Sequence, residues 1–359
     1  MSFKLKPLHS LFLFFGVFSV QSAYAVSWDA LEPVEVESES EIQTQPIQEE
    51  QSQVVIQQEQ QVSQKEKSST GPMYFSLTPS ILTGGEAKEY VFNGNTRDMI
   101  SLLNWEIKNA PTIKADFTWE LRSWLTMNIN GWTTLSSNTV TMNDYDWKDP
   151  QARSLNTDWS HHPNTSLNSA NKVDINFTSW FVQKPNYKVG ILAGYEQSRF
   201  SWTAKGGEYH YGVTDSSGNY IQGTAMLFEG KFADDRVLIG YQQKFKAPYI
   251  GLVGRYTNNK YEFNAIAKMS QWVRARDQDE HYARNITFYE KGEMSDYYSV
   301  TLNGGYYISP KVKLFGEATW NDYKFAPATT TIKGNSSYKG NAGISSKYYN
   351  LGIGAQYQF

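Results

Sequence analysis

Cysteine is absent from all 359 residues, so no disulfide can staple this chain. Beyond the first 25 residues, no apolar run approaches the roughly 18–20 residues that a membrane-spanning helix needs. No serine stands in a nucleophile-elbow context, and no HExxH-like spacing offers a zinc site. Histidine is scarce: past His9 there are only His161, His162, His210 and His281. These gaps exclude thiol chemistry and a helical anchor in the body of the chain. They also argue against a Ser–His hydrolase and a zinc hydrolase, and they leave few imidazoles to serve as a base.

What is abundant is aromatic. The chain holds 24 Tyr and 11 Trp among 15% aromatic residues, with 26 Gly and a mean hydropathy of −0.55. A polar average with many aromatics suits a barrel in which only every second strand residue meets lipid. The N-terminus reads as an export signal. Lys4 and Lys6 precede the apolar run Leu11 to Val20, and Ala23-Tyr24-Ala25 gives the cleavage pattern, so residues 1–25 form a signal peptide. Residues 26–71 carry ten acidic residues against Lys65 and Lys67, with the Gln-rich stretch Gln57 to Gln61 and almost no aromatics. Such a segment cannot bury enough apolar surface to fold alone, and a disordered periplasmic linker is expected.

From Pro72 the pattern turns to period two. In the last stretch Tyr349, Leu351, Ile353, Ala355, Tyr357 and Phe359 share one face, opposite Asn350, Gly352, Gly354, Gln356 and Gln358. Lys311 to Trp320 and Val173 to Phe181 repeat it. Short polar turns at 184–186, 257–260 and 309–310 alternate with longer connections near 137–172, 210–222, 277–294 and 325–345. This predicts an all-β fold over 72–359: a ten-stranded antiparallel transmembrane β-barrel with some strands long enough to rise above the outer leaflet.

Two acidic clusters lie near the outer ends. Asp144 and Asp146 stand at i and i+2, which puts both carboxylates on one side of an extended chain. Close carboxylates cannot both ionise freely, an arrangement suited to holding a water, although an Asx-rich or calcium-touching surface has the same spelling. Asp277, Asp279 and His281 repeat the spacing and offer a carboxylate-oriented imidazole, the arrangement of a general base. His161-His162 lacks such an acidic neighbour and reads as structural.

At these residues the chain resembles the omptin family of outer-membrane proteases. The resemblance runs through Asn104-Trp105, Gly131 to Leu135, Asp144-x-Asp146-Trp147, Gly194-Tyr195 with Ser198-Arg199, Phe245 to Leu252 with one mismatch-tolerant position, and Asp279 to Tyr282. It implies an endopeptidase on the extracellular side of the bacterial outer membrane. Water between Asp144 and Asp146 on one side and Asp279 and His281 on the other would attack a peptide bond beside Lys or Arg, preferably at dibasic sites. It implies that Glu89 and Asp277 hold the basic side chain, with no metal or cofactor. Lipopolysaccharide is implied as activator, held by Tyr195, Arg199 and Lys244 on the outer wall; Gln197 and Glu293 depart from the family pattern there, and Arg199 alone could simply snorkel. Partners are then Lys/Arg-containing polypeptides and lipopolysaccharide, with no nucleic acid. A non-catalytic adhesin or invasion factor, binding host surfaces through long loops, is the alternative from another class.

One conflict is built into these assignments. Strict alternation from Tyr261, Phe263, Ala265 and Met269 turns Asp277, Asp279 and His281 toward lipid, and counting from Phe75, Leu77 and Ile81 does the same to Glu89. A β-bulge, for which Gly84-Gly85 is suited, or inward-folding strand tips are therefore expected.

Overall fold

The computed structural model describes residues 71–359 apart from 95–97. The expected signal peptide and, Gly71 excepted, the acidic linker lie outside the described residues. Twelve strands follow one another: β1 (Met73–Phe92), β2 (Met99–Ile107), β3 (Ala110–Arg122), β4 (Leu125–Thr134), β5 (Asn138–Asp146) and β6 (Asp158–Gln183), then β7 (Tyr187–Tyr211), β8 (Phe228–Asn258), β9 (Tyr261–His281), β10 (Ile286–Ser309), β11 (Val312–Ile332) and β12 (Asn335–Gln358). Neighbours pair antiparallel throughout, and β12 returns to β1 to close the sheet. Closure leaves no open edge, which is what a sheet in lipid requires.

The twelve segments make ten staves. β1 pairs its first half with β3 and its second half with β2, so β2 and β3 form one stave broken at Lys108-Asn109, where Asn109 takes φ 50°. β4 and β5 likewise share β6, one against each half. The ten expected strands are therefore present, but they run further than their hydrophobic pattern does. Most of 137–172 is strand, β9 and β10 meet across a turn at Tyr282–Arg284, and β11 reaches β12 through Lys333-Gly334. Above the lipid both faces of a strand are wet, so alternation fades while the hydrogen-bonded ladder continues. Extended loops remain at 147–157, within the expected connection at 137–172, and at 212–227, where 210–222 was expected.

The exterior carries the apolar residues that alternation selected. Phe75, Leu77, Ile81, Val173, Ile175, Phe177, Ile191, Ile250, Leu252, Phe263, Leu351 and Ile353 are all exposed on the outer wall. Exposed side chains this apolar, in one band, are the surface of a barrel that spans a bilayer. Inside, the lower lumen is polar and crowded with ion pairs. Lys114 pairs with Glu317 at 2.5 Å, Lys313 with Glu262 at 2.5 Å and Arg255 with Glu120 at 3.2 Å, while Lys268 contacts both Asp174 and Glu196. A cavity of about 210 Å³ is left among these side chains. Above it an aromatic floor fills the barrel, with Trp105 stacked on Tyr241 at 5.0 Å and Phe245 on Tyr323 at 4.3 Å.

Candidate active site

Bulges resolve the parity conflict. Between Thr83 and Glu86 on β1, Gly84 and Gly85 stand opposite the single Tyr348 on β12, and Gly84 takes φ 62° to absorb the extra residue. A Cβ could not adopt that backbone cheaply, which is why glycine stands there. On β9 the extra residue falls at Gln271–Trp272, both exposed in succession. β10 has one at Met294, φ 64°, and β11 has one at Lys324–Phe325. Each bulge swaps the faces of the strand beyond it. Four strands of the neighbouring run β9 to β12 and β1 thus carry a collar that turns their outer ends inside out.

The collar delivers the predicted residues to the lumen mouth. Glu89 becomes 2% exposed, Asp277 7% and Asp279 1%, and His281 follows them inward. β9 crosses a bilayer with roughly its first 11 residues, so this group lies beyond the lipid. His281 Nε2 donates to Asp279 Oδ2 at 2.5 Å, fixing the ring. That leaves the Nδ1 lone pair, to which Arg284 in the following turn donates. Tyr241 on β8 donates to Asp277 Oδ2 at 2.9 Å, and its own oxygen accepts from Gln243 Nε2 at 2.8 Å.

The other carboxylate pair arrives on a strand rather than the expected loop. Asp144 and Asp146 share the inward face of β5 with the buried Val140 and Met142. Asp144 accepts from Ser101 Oγ at 3.3 Å, and burial together with Asp146 and Asp279 pushes its carboxyl well above the usual aspartate range. Asp279 on β9 therefore faces Asp144 on β5 closely enough for their charges to interact. Asp146 is opposite Asp158 in register, and Lys148 sits between them, 2.9 Å from one and 3.3 Å from the other. Burial opposes the Lys148 ammonium, but the two carboxylates outweigh it and raise its pKa. His162, read as structural, is buried and bonded to the Gly206 carbonyl at 2.6 Å and to Ser160 at 3.0 Å.

The structure adds residues that strict alternation concealed. Glu290 on β10, 3% exposed, is opposite Asp277 in register. On the outer wall Tyr195 is exposed, and Arg199 and Lys244 are cross-strand partners. The row continues, because Lys244 faces Arg276, and Arg276 faces Lys291. Below it Lys246 pairs with Arg274. Arg274 and Arg276 point outward only because of the β9 bulge; the consecutive pair Gln271-Trp272 is its one trace in the sequence. Among the described residues no cluster of three or more His, Cys, Asp or Glu is arranged to hold a metal.

Comparison with known proteins agrees with this fold. A plasminogen activator of Yersinia pestis is 44% identical over 293 residues, covering 79% of this chain and 90% of its own. The outer membrane protease OmpP of Escherichia coli K12 is 38% identical, covering 80% and 87%. The crystal structure of the outer membrane protease OmpT from Escherichia coli superposes with a TM-score of 0.76 at 35% identity, covering 81% of this chain and 98% of that one. The model of the Omptin family matches residues 73–359, the whole barrel, and the chain belongs to that family.

Proposed function

We propose that this protein is an outer-membrane endopeptidase that hydrolyses exposed polypeptides beside Lys or Arg, with its mouth outside the cell. The observation that carries the reading is the inward convergence of Asp144, Asp146, Asp279 and His281 above the lipid, on strands bulged to bring them there. The relatives are named as proteases and as a plasminogen activator, which supports peptide-bond hydrolysis.

The chemistry follows from the contacts. Asp279 holds the His281 ring and stabilises the imidazolium that forms when the ring takes a proton from water. The Nδ1 lone pair becomes available once Arg284 swings away. Asp144, kept protonated by burial and by Asp146, can donate to a carbonyl oxygen or position the water, while Lys148 holds Asp146 in place through an ion pair. The hydroxide equivalent attacks the peptide carbon, and the imidazolium returns its proton to the leaving amine. Glu89 and Asp277, buried below, meet a substrate cation with charge-assisted hydrogen bonds, which are stronger and shorter than neutral ones.

The outer-wall row of Arg199, Lys244, Arg276 and Lys291 supports lipopolysaccharide as a ligand. Cations in register at headgroup height repel one another unless anionic groups lie between them. No metal or cofactor takes part in this scheme. The test uses protein refolded with lipopolysaccharide and a quenched peptide containing Arg-Arg. Cleavage between the two arginines, lost in His281→Ala and unaffected by a chelator, is the expected result. A folded wild type inert toward several dibasic peptides would overturn the reading and favour adhesion through the outer loops.

A further inference from the structure

The mouth holds more buried carboxylate than the hydrolytic reading uses. Glu290 accepts from Thr330 Oγ1 at 2.8 Å through Oε1, and its Oε2 has no partner. Glu89 Oε2, Asp277 Oδ1 and Asp279 Oδ1 are equally without partners. Four buried carboxyl groups from β1, β9 and β10 thus each present an unmatched oxygen. A buried carboxylate oxygen facing other carboxylates is costly unless a proton or a cation lies between them.

We propose that Glu290 is a third wall of the cation pocket beside Glu89 and Asp277, and that an entering guanidinium displaces the proton shared by Asp277 and Glu290. Recognition of a basic side chain and release of a proton are then one event. The balance is simple: the cation enters, the bridging proton leaves to solvent, and the Asp277 and Glu290 oxygens that shared it take N–H donors instead. The natural ligand rests on the protease reading, whereas the pocket itself does not. A guanidinium suits it better than an ammonium, because it brings five N–H donors in a plane to oxygens arriving from three strands.

The surroundings of Glu290 agree from every side. β1 contributes Glu89, β9 contributes Asp277 and Asp279 with His281 beyond them, β8 contributes Tyr241 and Gln243, and β11 contributes Thr330. The strongest charges acting on Glu89 and Glu290 are all carboxylates. Burial and Asp277 hold Glu290 well above the usual carboxylate range. Burial, with Asp279, pushes Asp277 up to about 8 even though Tyr241 donates to it. Cation binding therefore strengthens as pH rises toward 8, with about a tenfold gain per pH unit for each proton released.

The experiment is calorimetric titration of the full chain, refolded in detergent, with N-acetyl-arginine methylamide at pH 7 in two buffers of different ionisation heat. The citrulline analogue is the neutral control. Wild type is expected to release close to one proton per ligand. Glu290→Gln, which keeps the hydrogen bond to Thr330, should lose that release and bind on the order of tenfold more weakly, with a larger deficit at pH 8.5 than at 6. Glu290→Asp should retain proton release with weaker binding, and heat-modifiable gel mobility checks folding of each variant. Buffer-independent heats in wild type, or an unchanged proton count in Glu290→Gln, would overturn the proposal. Cleavage of dibasic peptides without proton release would sink this inference and spare the protease. Proton-linked arginine binding without cleavage would do the reverse.

Discussion

The lumen and the mouth are built from the same side chains and obey opposite rules. In the lumen, Asp116, Glu120, Asp174, Glu196, Glu262 and Glu317 are interleaved with Lys114, Lys172, Arg255, Lys268 and Lys313, so nearly every buried carboxylate meets a cation. Past the collar of bulges, Glu89, Asp277, Asp279 and Glu290 crowd together, each with an oxygen that meets no cation. One region spends its charge on holding the barrel shut. The other leaves its carboxyl groups without cations, which destabilises the empty fold and prepares it for a cationic guest. Strain of this kind collects at functional sites because binding relieves it.

The sharpest way to break the contrast is to remove a bulge. Deleting Gln271 restores unbroken alternation along β9 and turns Asp277, Asp279 and His281 to the outer wall. Peptidase activity should fall by at least about 10³-fold, since the base and its orienting carboxylate leave together. The ladder can re-form, so folded barrel should still be recovered. A deletion variant that cleaves dibasic peptides normally would show that the collar does not position the site. The point variant Asp279→Asn, which leaves every strand in place, should lose about 10²–10⁴-fold in kcat with a smaller change in KM.

Next in size is the lumen itself. Lys268→Met strands Asp174 and Glu196 without one of their cations, and breaking a buried pair from one side costs about 3–5 kcal/mol. The loss should appear in urea unfolding monitored by tryptophan fluorescence. The mouth should answer the matching change with the opposite sign. Glu89→Gln removes an ionisable group from a site that disfavours its charge, and should stabilise the empty barrel by roughly 1 kcal/mol while weakening binding of basic peptides. The pH dependence has a fixed sign too. The Asp277 carboxyl is raised from 3.8 to about 8 in the fold, so its stabilising contribution is complete below the unfolded value and is lost as pH climbs through that window. Wild type should therefore be less stable at pH 8.5 than at 5.5, and bound arginine ligand should narrow the gap. Destabilisation on acidification over that range would contradict it.

The sequence made the lumen side of this comparison easier to read than the mouth. Where lipid lies outside and packed polar groups inside, as from Tyr349 to Phe359, alternation is strict and the stave can be read directly. Higher up, Asp158 to Lys172 has polar residues on both faces, and a strand there looks like a loop. The catalytic candidates Asp144, Asp146, Asp279 and His281 were accessible through residue chemistry and family resemblance. The inward turn of Asp279 and His281 was expected only through a bulge or a folded strand tip whose place on β9 was open, because one extra residue reverses every face beyond it. Gly84-Gly85 advertised its bulge through glycine, whereas Gln271-Trp272, Met294 and Lys324-Phe325 carried no such mark. Glu290, Arg274 and Arg276 were missed for this one reason.

The smallest effect tests the collar from its outer side. By turning Asp277 inward, the β9 bulge necessarily turns Arg274 and Arg276 outward, and Arg276 then completes a register with Arg199, Lys244 and Lys291. Glu293 beside Lys291, at 3.1 Å, lowers the net charge of that end. A basic residue near an anionic membrane surface is worth about 1 kcal/mol. Arg276→Ser should therefore raise the lipopolysaccharide concentration needed for half-maximal activation about fivefold, with kcat at saturation unchanged. Glu293→Lys should lower it by a similar factor. If Arg276→Ser instead reduced the saturating rate at an unchanged lipid requirement, Arg276 would be acting through its strand neighbour Asp277, and the two faces of the bulge would be coupled rather than separate.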